Sequence, residues 1–457
     1  MRSLLFFFFT TLYLFAQPLS LEQAILLLKQ HNLEVKAAQF EIYSNELAYD
    51  MAKAQDYGRL DFIQTVSRSN DAGNVFGFKL GSREASFGDF GFDEFLSQMS
   101  GLPGNANQLL ATQPNSLNYP EARNYFQSKL AYELPLYTGN KLSAYQAMAK
   151  EVENISILEK DDQINAKIYE TRKSFFDMAL LEDSLKNLRL IHTNISRLEA
   201  MTQEMITEGY AKKIDLLEVQ SKKVNVGRII SELESNQALL YHYLSFLLNQ
   251  EVTQIQTPDY ALCEPSISAE DILQNNLDIK KAQTALKIRE SMVRLEESRY
   301  LPTLGAMAEV QTTDDTFLGD ANDHKSYTVG LQLKWNLFSA GSDSAAIEKA
   351  RMQSLKMQTQ TELARAGIAL KVKEIQTKIK TSDFEIESLR VELSLARQIY
   401  ENYENRYKEQ LSSMNDVIIK QSSWLEKVLE LLKAENFRNT QIFALERLGA
   451  LSQGNQL

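Results

Sequence analysis

Cysteine is nearly missing from this chain: Cys263 stands alone among 457 residues. No disulfide can form within one chain. No cysteine stands directly after the N-terminal apolar segment either, which argues against a lipid-anchored protein of the bacterial lipoprotein kind. Histidine is scarce, and His31, His192, His242 and His324 are scattered without HExxH or any other metal-ligand spacing. GxSxG and phosphate-loop motifs are missing as well. These absences give the expectation of a protein that is not an enzyme and holds no metal or cofactor. Positive charge is also in deficit. A formal net charge of −11 argues against a nucleic-acid partner, because neutralising phosphates requires a basic face. After the first residues no segment reaches about 18 consecutive apolar residues, so no transmembrane helix is expected. Contact with a membrane would need another route.

What is present starts with MRSLLFFFFTTLYLFAQP, a short positive start and an apolar run of signal-peptide length. We read 1–16 as a secretion signal. Proline and glycine punctuate the rest very unevenly. Neither occurs from Lys141 to Glu208, and from Asp343 to Leu448 only Gly367 does. Such stretches, rich in Leu, Ala, Glu, Lys and Gln, are helical by propensity. At 1.5 Å per residue the first would be roughly 100 Å long, far beyond what a globular domain needs. Leu188, Ile191, Ile195, Leu198 and Met205 follow heptad spacing, with Thr202 at the missing place. Leu389, Leu393, Ala396, Tyr400, Tyr403 and Tyr407 do the same. Both are coiled-coil seams.

The chain repeats itself. LEVKAAQ (Leu33 to Gln39) matches LDIKKAQ (Leu277 to Gln283) at a spacing of 244. PLYTGNKLSA (Pro135 to Ala144) matches NLFSAGSDSA (Asn336 to Ala345) at 201, and EGYAKKIDLLEVQS (Glu208 to Ser221) matches EQLSSMNDVIIKQS (Glu409 to Ser422), again at 201. The constant offset gives the helical parts of both halves one length. The drop of 43 puts extra residues in the first half, within the Gly-, Phe- and Asn-rich stretch 69–124, which reads as a long loop.

Four segments alternate in polarity. Tyr327, Val329, Leu331, Leu333, Trp335 and Leu337 are apolar, against Thr328, Gly330, Gln332, Lys334 and Asn336. Phe126, Leu130, Tyr132 and Leu134 oppose Gln127, Lys129, Ala131 and Glu133, with Ser128 as the one polar residue on the apolar face. Leu304, Ala306, Ala308 and Val310 alternate with Gly305, Met307, Glu309 and Gln311; Leu60, Phe62 and Val66 form the fourth set, broken by Gln64. Each has the length of a transmembrane β-strand. A single such strand would suit a soluble sheet better, but here the helices are occupied by their own seams. Four strands cannot close a barrel in lipid, since the edges would leave backbone groups unpaired and closed barrels begin at about eight strands. Several chains must then share one barrel. Three chains leave room for a passage where two would be filled by side chains, and Lys129, Glu133, Glu309, Gln311, Gln332 and Lys334 suit a wet lumen.

With the two junctions, YLPTL (Tyr300 to Leu304) and the helix-tip motifs around Asp215 and Asp416 in view, the sequence resembles the TolC family of outer-membrane efflux proteins along nearly its whole mature length. The first junction keeps Pro135, Gly139 and Lys141 but has Asn140 for the family's second Gly; the second keeps Gly341 but has Asn336 and Ala340. The resemblance implies a mainly α fold with a small β part, in two structural repeats. It implies a homotrimer with a twelve-stranded barrel in outer-membrane lipid and a long coiled-coil helical barrel through the periplasm. It divides the chain into a periplasmic helix (17–58), a β-hairpin carrying an extracellular loop (59–137), a helical hairpin (138–249) and an equatorial linker (250–267). The second repeat follows as 268–301, 302–338 and 339–448, then a tail (449–457). Function follows as an exit duct joined to a periplasmic adaptor and an inner-membrane pump of the RND or ABC type. The tips, with turns at Gly209-Tyr210 and Gln410-Leu411, would dock the adaptor, aided by Lys212 and Lys213. The gate candidates are Asp416, Asp215 and Tyr407. Asp416 is equally a first-turn carboxylate favoured by the helix dipole, and Tyr407, which could donate to Asp215, is equally a seam residue. A second acidic ring is not supported, since Ile419 stands where some members have Asp. The alternative from another class is a periplasmic or surface coiled-coil scaffold without a pore.

Overall fold

The computed structural model describes residues 18–101, 106–258 and 267–450. The expected signal (1–16), Cys263 and most of the C-terminal tail lie outside the described residues. In chain order the elements are α1 (Leu21–His31), α2 (Leu33–Ala54), β1 (Arg59–Ser69), α3 (Ala72–Gly81), α4 (Phe92–Gly101), α5 (Ala106–Leu110), α6 (Asn115–Asn118) and β2 (Arg123–Tyr137). They continue with α7 (Lys141–Thr207), α8 (Lys213–Leu248), α9 (Ala269–Asn275), α10 (Leu277–Glu297), β3 (Thr303–Asp314), β4 (Lys325–Lys334), α11 (Ser342–Lys408) and α12 (Met414–Leu448). Helices α7 and α11 are each 67 residues long, and their starting points differ by the 201 residues of the repeat. Among the described residues no helix is long and apolar enough to cross a membrane.

The chain forms two compact units. One is helical and comprises the described residues up to Asn45, those within Val152–Leu286 and those from Lys356 to Ala450. Its cores recur at repeat-equivalent positions. Leu28, Met178 and Leu244 belong to the first, and Ile272, Ile379 and Leu445 to its counterpart. Two buried asparagines fasten the same joint twice. Asn32 donates from Nδ2 to the Leu247 carbonyl (2.8 Å) while its Oδ1 accepts from Val35 N–H (3.0 Å). Asn276 does likewise with Leu448 (2.9 Å) and Ile279 (3.0 Å). Each side chain caps a helix start and ties it to a helix end, the two places where backbone groups lack partners. The repeat extends to the surface: Arg189 pairs with Glu234 (2.7 Å) and Arg390 with Glu435 (2.9 Å). Phe176 meets Phe443 edge to face (4.9 Å between centroids) and Arg172 pairs with Glu446, joining α7 to α12.

The other unit, Glu46–Glu151 with Lys287–Leu355, contains an antiparallel sheet of order β1-β2-β3-β4. Its register puts Gln127, Lys129 and Glu133 on one face with Gln311, Glu309 and Met307. The other face carries Phe62, Val66, Leu130, Val310, Val329 and Leu331, all exposed. The two polar interruptions of that apolar face, Gln64 and Ser128, are direct cross-strand partners. Ser128 Oγ donates to Gln64 Oε1 at 2.6 Å, so the two polar side chains on that face are partnered with each other. Strand β2 is longer than the alternation suggested, and β4 stops at Lys334. Trp335 and Leu337, expected within that strand, lie beyond it, where Trp335 Nε1–H donates to the Tyr300 carbonyl (3.1 Å). Edge strands β1 and β4 each have a single partner.

The stretch 69–124, read as a long loop, contains short helices among its described residues. Asp71 caps α3 by accepting from Asn74 N–H (3.0 Å), and the Glu94 carboxylate accepts from Asn115 and Ser116 N–H (2.9 and 3.0 Å) at the start of α6. Side-chain capping and aromatic contacts organise four short helices despite the glycines.

Both strand-to-helix junctions turn through two consecutive left-handed residues: Gly139 and Asn140 (φ 63° and 67°), and Ala340 and Gly341 (φ 52° and 83°). Ala340 thus occupies a conformation that is strained for a side chain. Gly58 (φ 73°) is more tightly bound to its identity, because a Cβ there would lie 2.1 Å from the Glu133 carbonyl oxygen. Ala340→Gly should therefore raise stability by up to about 1 kcal/mol, whereas Gly58→Ala should lower it by at least about 2 kcal/mol. Thermal unfolding of the two variants in detergent checks the opposite signs.

Candidate functional site

The hairpin ends of the helical unit bring together most of the residues singled out from sequence. Both hairpins end their first helix in a Schellman motif. Gly209 N–H donates to the Ile206 carbonyl (3.1 Å) and Tyr210 N–H to Met205 (2.7 Å). In the second, Gln410 N–H donates to Tyr407 (2.9 Å) and Leu411 N–H to Arg406 (2.8 Å). Gly209 has φ 81° and Gln410 φ 61°, so the two turns share one shape although only one has a glycine. Tyr210 and Leu411 are exposed beyond them.

The helices that leave the turns start differently. Lys212, at the N-cap of α8, offers no side-chain acceptor. Only Asp215 reaches back, accepting from Lys212 N–H at 2.8 Å. At α12 the box is complete: Asp416 N–H donates to Ser413 Oγ (3.2 Å), and Asp416 Oδ2 accepts from Ser413 N–H (3.2 Å) and Ser413 Oγ–H (2.6 Å). These bonds, helped by the charges of Lys420 and Arg406, hold the Asp416 carboxyl below its ordinary value. Both aspartates thus serve as first-turn carboxylates.

Behind the turns lies a buried cluster. Leu188, Ile191, Ile195 and Leu198 of the first seam pack with Tyr400, Tyr407, Met414, Val417 and Ile418. Thr202 fills the gap in the seam by donating its hydroxyl to the Leu198 carbonyl (2.8 Å). The second seam divides: Leu389 packs with Ile386 and Ala434, while Tyr400 stacks on Trp424 at 5.5 Å. The bond envisaged from Tyr407 to Asp215 is not formed. The Tyr407 hydroxyl donates to Met205 Sδ at 3.0 Å, because Asp215 is engaged by its own helix start. Burial raises the Tyr407 pKa, with the charge of Asp215 adding to it. Met205, Trp424 and Ser413 were not singled out as tip residues from sequence; the Ser413-x-x-Asp416 spacing is the signal that would have identified the cap.

In the sheet unit the proposed lumen residues share the polar face. Lys129 Nζ pairs with Glu309 (2.7 Å), and Gln127 Nε2–H donates to Gln311 (2.7 Å). Glu133, Gln332 and Lys334 lie toward the helix-bearing end of the same face, exposed. Among the described residues no group of three or more His, Cys, Asp or Glu is placed to hold a metal.

This combination, two long helical hairpins and a four-stranded sheet in a twofold repeat, defines the fold class of outer-membrane channel proteins. Residues 269–450, the second repeat, match the family described as outer membrane efflux protein. The match lies in the second repeat and is to the same kind of family that the TolC-like motifs implied. No curated protein sequence matches it significantly. Among solved structures it is similar to CusC, a protein that forms a transmembrane channel (TM-score 0.76, 14% identity, 94% of this chain and 91% of that one). It is similar also to the outer membrane protein VceC from Vibrio cholerae (0.75, 14%, 94% and 96%) and to the Campylobacter jejuni CmeC outer membrane channel (0.75, 13%, 94% and 85%).

The turns give opposite expectations for equivalent positions. Nothing lies within 4 Å of a Cβ on Gly209, so Gly209→Ala should cost only the conformational strain, about 1 kcal/mol, and Gln410→Gly should relieve a similar amount. Amide exchange at residues 206–212 and 407–413 measures both. The lowered Asp416 carboxyl sets a pH window. Its contribution is complete above the unfolded value, about 3.9, and is lost as pH falls through the lower folded value. Protection factors at the start of α12 should stay level from pH 7 to 5 and fall only below about 4.

Proposed function

We propose that this protein is the exit duct of an envelope-spanning transport assembly, in which three copies share one barrel in the outer membrane. A periplasmic adaptor meets the hairpin tips, and an inner-membrane pump of the RND or ABC type supplies the energy. The observation that carries the reading is the sheet. Its two edges are unpaired, one face is apolar and exposed, and the opposite face carries Lys129, Glu309, Gln127 and Gln311. In lipid each unpaired backbone group costs several kcal/mol, and joining β4 of one copy to β1 of the next removes every edge. A scaffold in water would leave the apolar face uncovered, which is why this alternative is disfavoured.

At the tips, Tyr210, Leu411, Gly209, Gln410 and Lys212 are the adaptor-facing candidates. Asp416, repeated around a threefold axis, would favour cations at the constriction, although Lys420 and Arg406 beside it offset part of each charge. Asp215 and Tyr407 support the ring from the first hairpin and the seam.

The native mass of the mature protein, extracted from membranes in mild detergent, tests this reading. Three chains in the outer-membrane fraction are expected. A monomer or dimer recovered in water without detergent would overturn the shared barrel and restore the scaffold.

A further inference from the structure

The first hairpin carries an insertion that the second lacks, and its attachment has a direction. Side chains on a strand alternate between faces, so the register assigns each residue to a side. Arg123 and Tyr125 share parity with Gln127 and Lys129 on β2, and Thr313 pairs with Gln127 across β3. All three stand on the polar face, at the end of the sheet away from the long helices. These are the residues that hold the insertion. Phe78 of α3 stacks on Tyr125 with centroids 4.2 Å apart and rings inclined by 17°. Gly81 lies against Thr313, whose hydroxyl would be 3.3 Å from a Cβ at that position. The Arg123 guanidinium pairs with Glu84 and donates to Ser82 Oγ (3.3 Å). Thr313, Ser82 and Val75 are buried by the contact.

The part attached there is a folded body. Phe76 meets Phe90 edge to face at 5.0 Å. Lys79 pairs with Asp89, which also accepts from Ser86 N–H (2.7 Å). Ser82 Oγ–H donates to Glu84 (2.7 Å). By contrast, the β3–β4 connection is organised around Asp314, which accepts from Asp315 and Asp320 N–H (2.7 Å each) and has the parity of the apolar face. Only the first connection turns onto the polar side.

Resting on the duct reading of the sheet, we infer that α3 and the turn after it fold into the extracellular mouth of the barrel and form a second, outer constriction that selects solutes by size and apolarity. Most of the charges there are paired, Lys79 with Asp89 and Arg123 with Glu84, Arg83 being exposed outside these pairs, while Leu80, Phe87 and Phe90 present exposed apolar surface. A narrow apolar ring restricts water and ions by diameter and dewetting more than by charge.

The test is single-channel conductance of the full-length protein in planar bilayers of potassium chloride, in a Cys263→Ser background. Gly81→Cys with Thr313→Cys would place the two Cβ atoms about 3.9 Å apart, within the disulfide range of about 3.5–4.5 Å. The bond should form on oxidation and leave conductance at the wild-type level. Phe78→Ala with Arg123→Ala should unfasten α3 and raise conductance about twofold or more, as expected when a pore-lining constriction is lost. Leu80→Cys, treated from the outer side with a charged thiol reagent, should lose conductance. A correctly assembled double-cysteine protein that fails to cross-link, or an unfastened protein with unchanged conductance, would overturn the inference while sparing the duct. Absence of conductance from the wild type, with the cross-link formed, would remove the passage itself and the constriction with it.

Discussion

A backbone that enters lipid must satisfy its own N–H and C=O groups, because hydrocarbon offers no partners. The sheet β1-β2-β3-β4 meets this demand internally and fails only along β1 and β4. The shared barrel proposed for this protein follows from that remainder. The shared barrel is the smallest change that removes the open edges without adding strands. The sheet's two faces then acquire fixed surroundings. Even the two polar residues on the apolar face obey the same rule, since Ser128 donates to Gln64 and Gln64 donates to the Thr65 carbonyl.

The helical unit is built on repetition with local repairs. Asn32 and Asn276 make the same two-ended hydrogen bonds at the same joint. Each is buried, so replacing either amide would leave a carbonyl and an N–H unpaired at about 1–3 kcal/mol. That penalty explains how a polar residue remains in a core made of Leu28, Leu244 and their counterparts. It also fixes where a short helix meets the end of a long hairpin, and so where each hairpin begins its course to the tip.

Much of this was legible in the residues before any coordinates. The offset of 201 gave the equal lengths of α7 and α11, and period-two alternation identified all four strands by the principle that a strand presents alternate residues to opposite sides. The strand ends were less legible. Trp335 and Leu337 continue the alternation of β4, but Trp335 directs its indole to the Tyr300 carbonyl instead of extending the ladder, and alternation alone does not reveal where pairing stops. The fold of the insertion was not legible, for a different reason. Glycine-rich composition lowers helix propensity, yet Asp71 and Glu94 supply the caps that short helices depend on. The tip turns were correctly located. The carboxylate of Asp215, however, is held by the start of its own helix, a local competition that removes the partner assigned to Tyr407.

That competition clarifies the tips themselves. The first hairpin turns through Gly209, which accepts the left-handed conformation freely, and then starts α8 from Lys212, which has no side-chain oxygen for a cap. The second turns through Gln410, strained by about 1 kcal/mol, and starts α12 from Ser413, whose cap is worth about the same. Each tip thus combines one favourable and one unfavourable local choice of similar size. The two repeats differ in opposite directions at two sites three residues apart, while the sum at each tip is nearly level. Under the proposed duct reading, two hairpins that would alternate around one ring are thereby matched in local stability. A perturbation at such a ring would act on both kinds of hairpin with similar resistance, and the direction of any opening would be set by what each tip meets, at Tyr210 and Lys212 on one side and Leu411 on the other, more than by which hairpin is weaker.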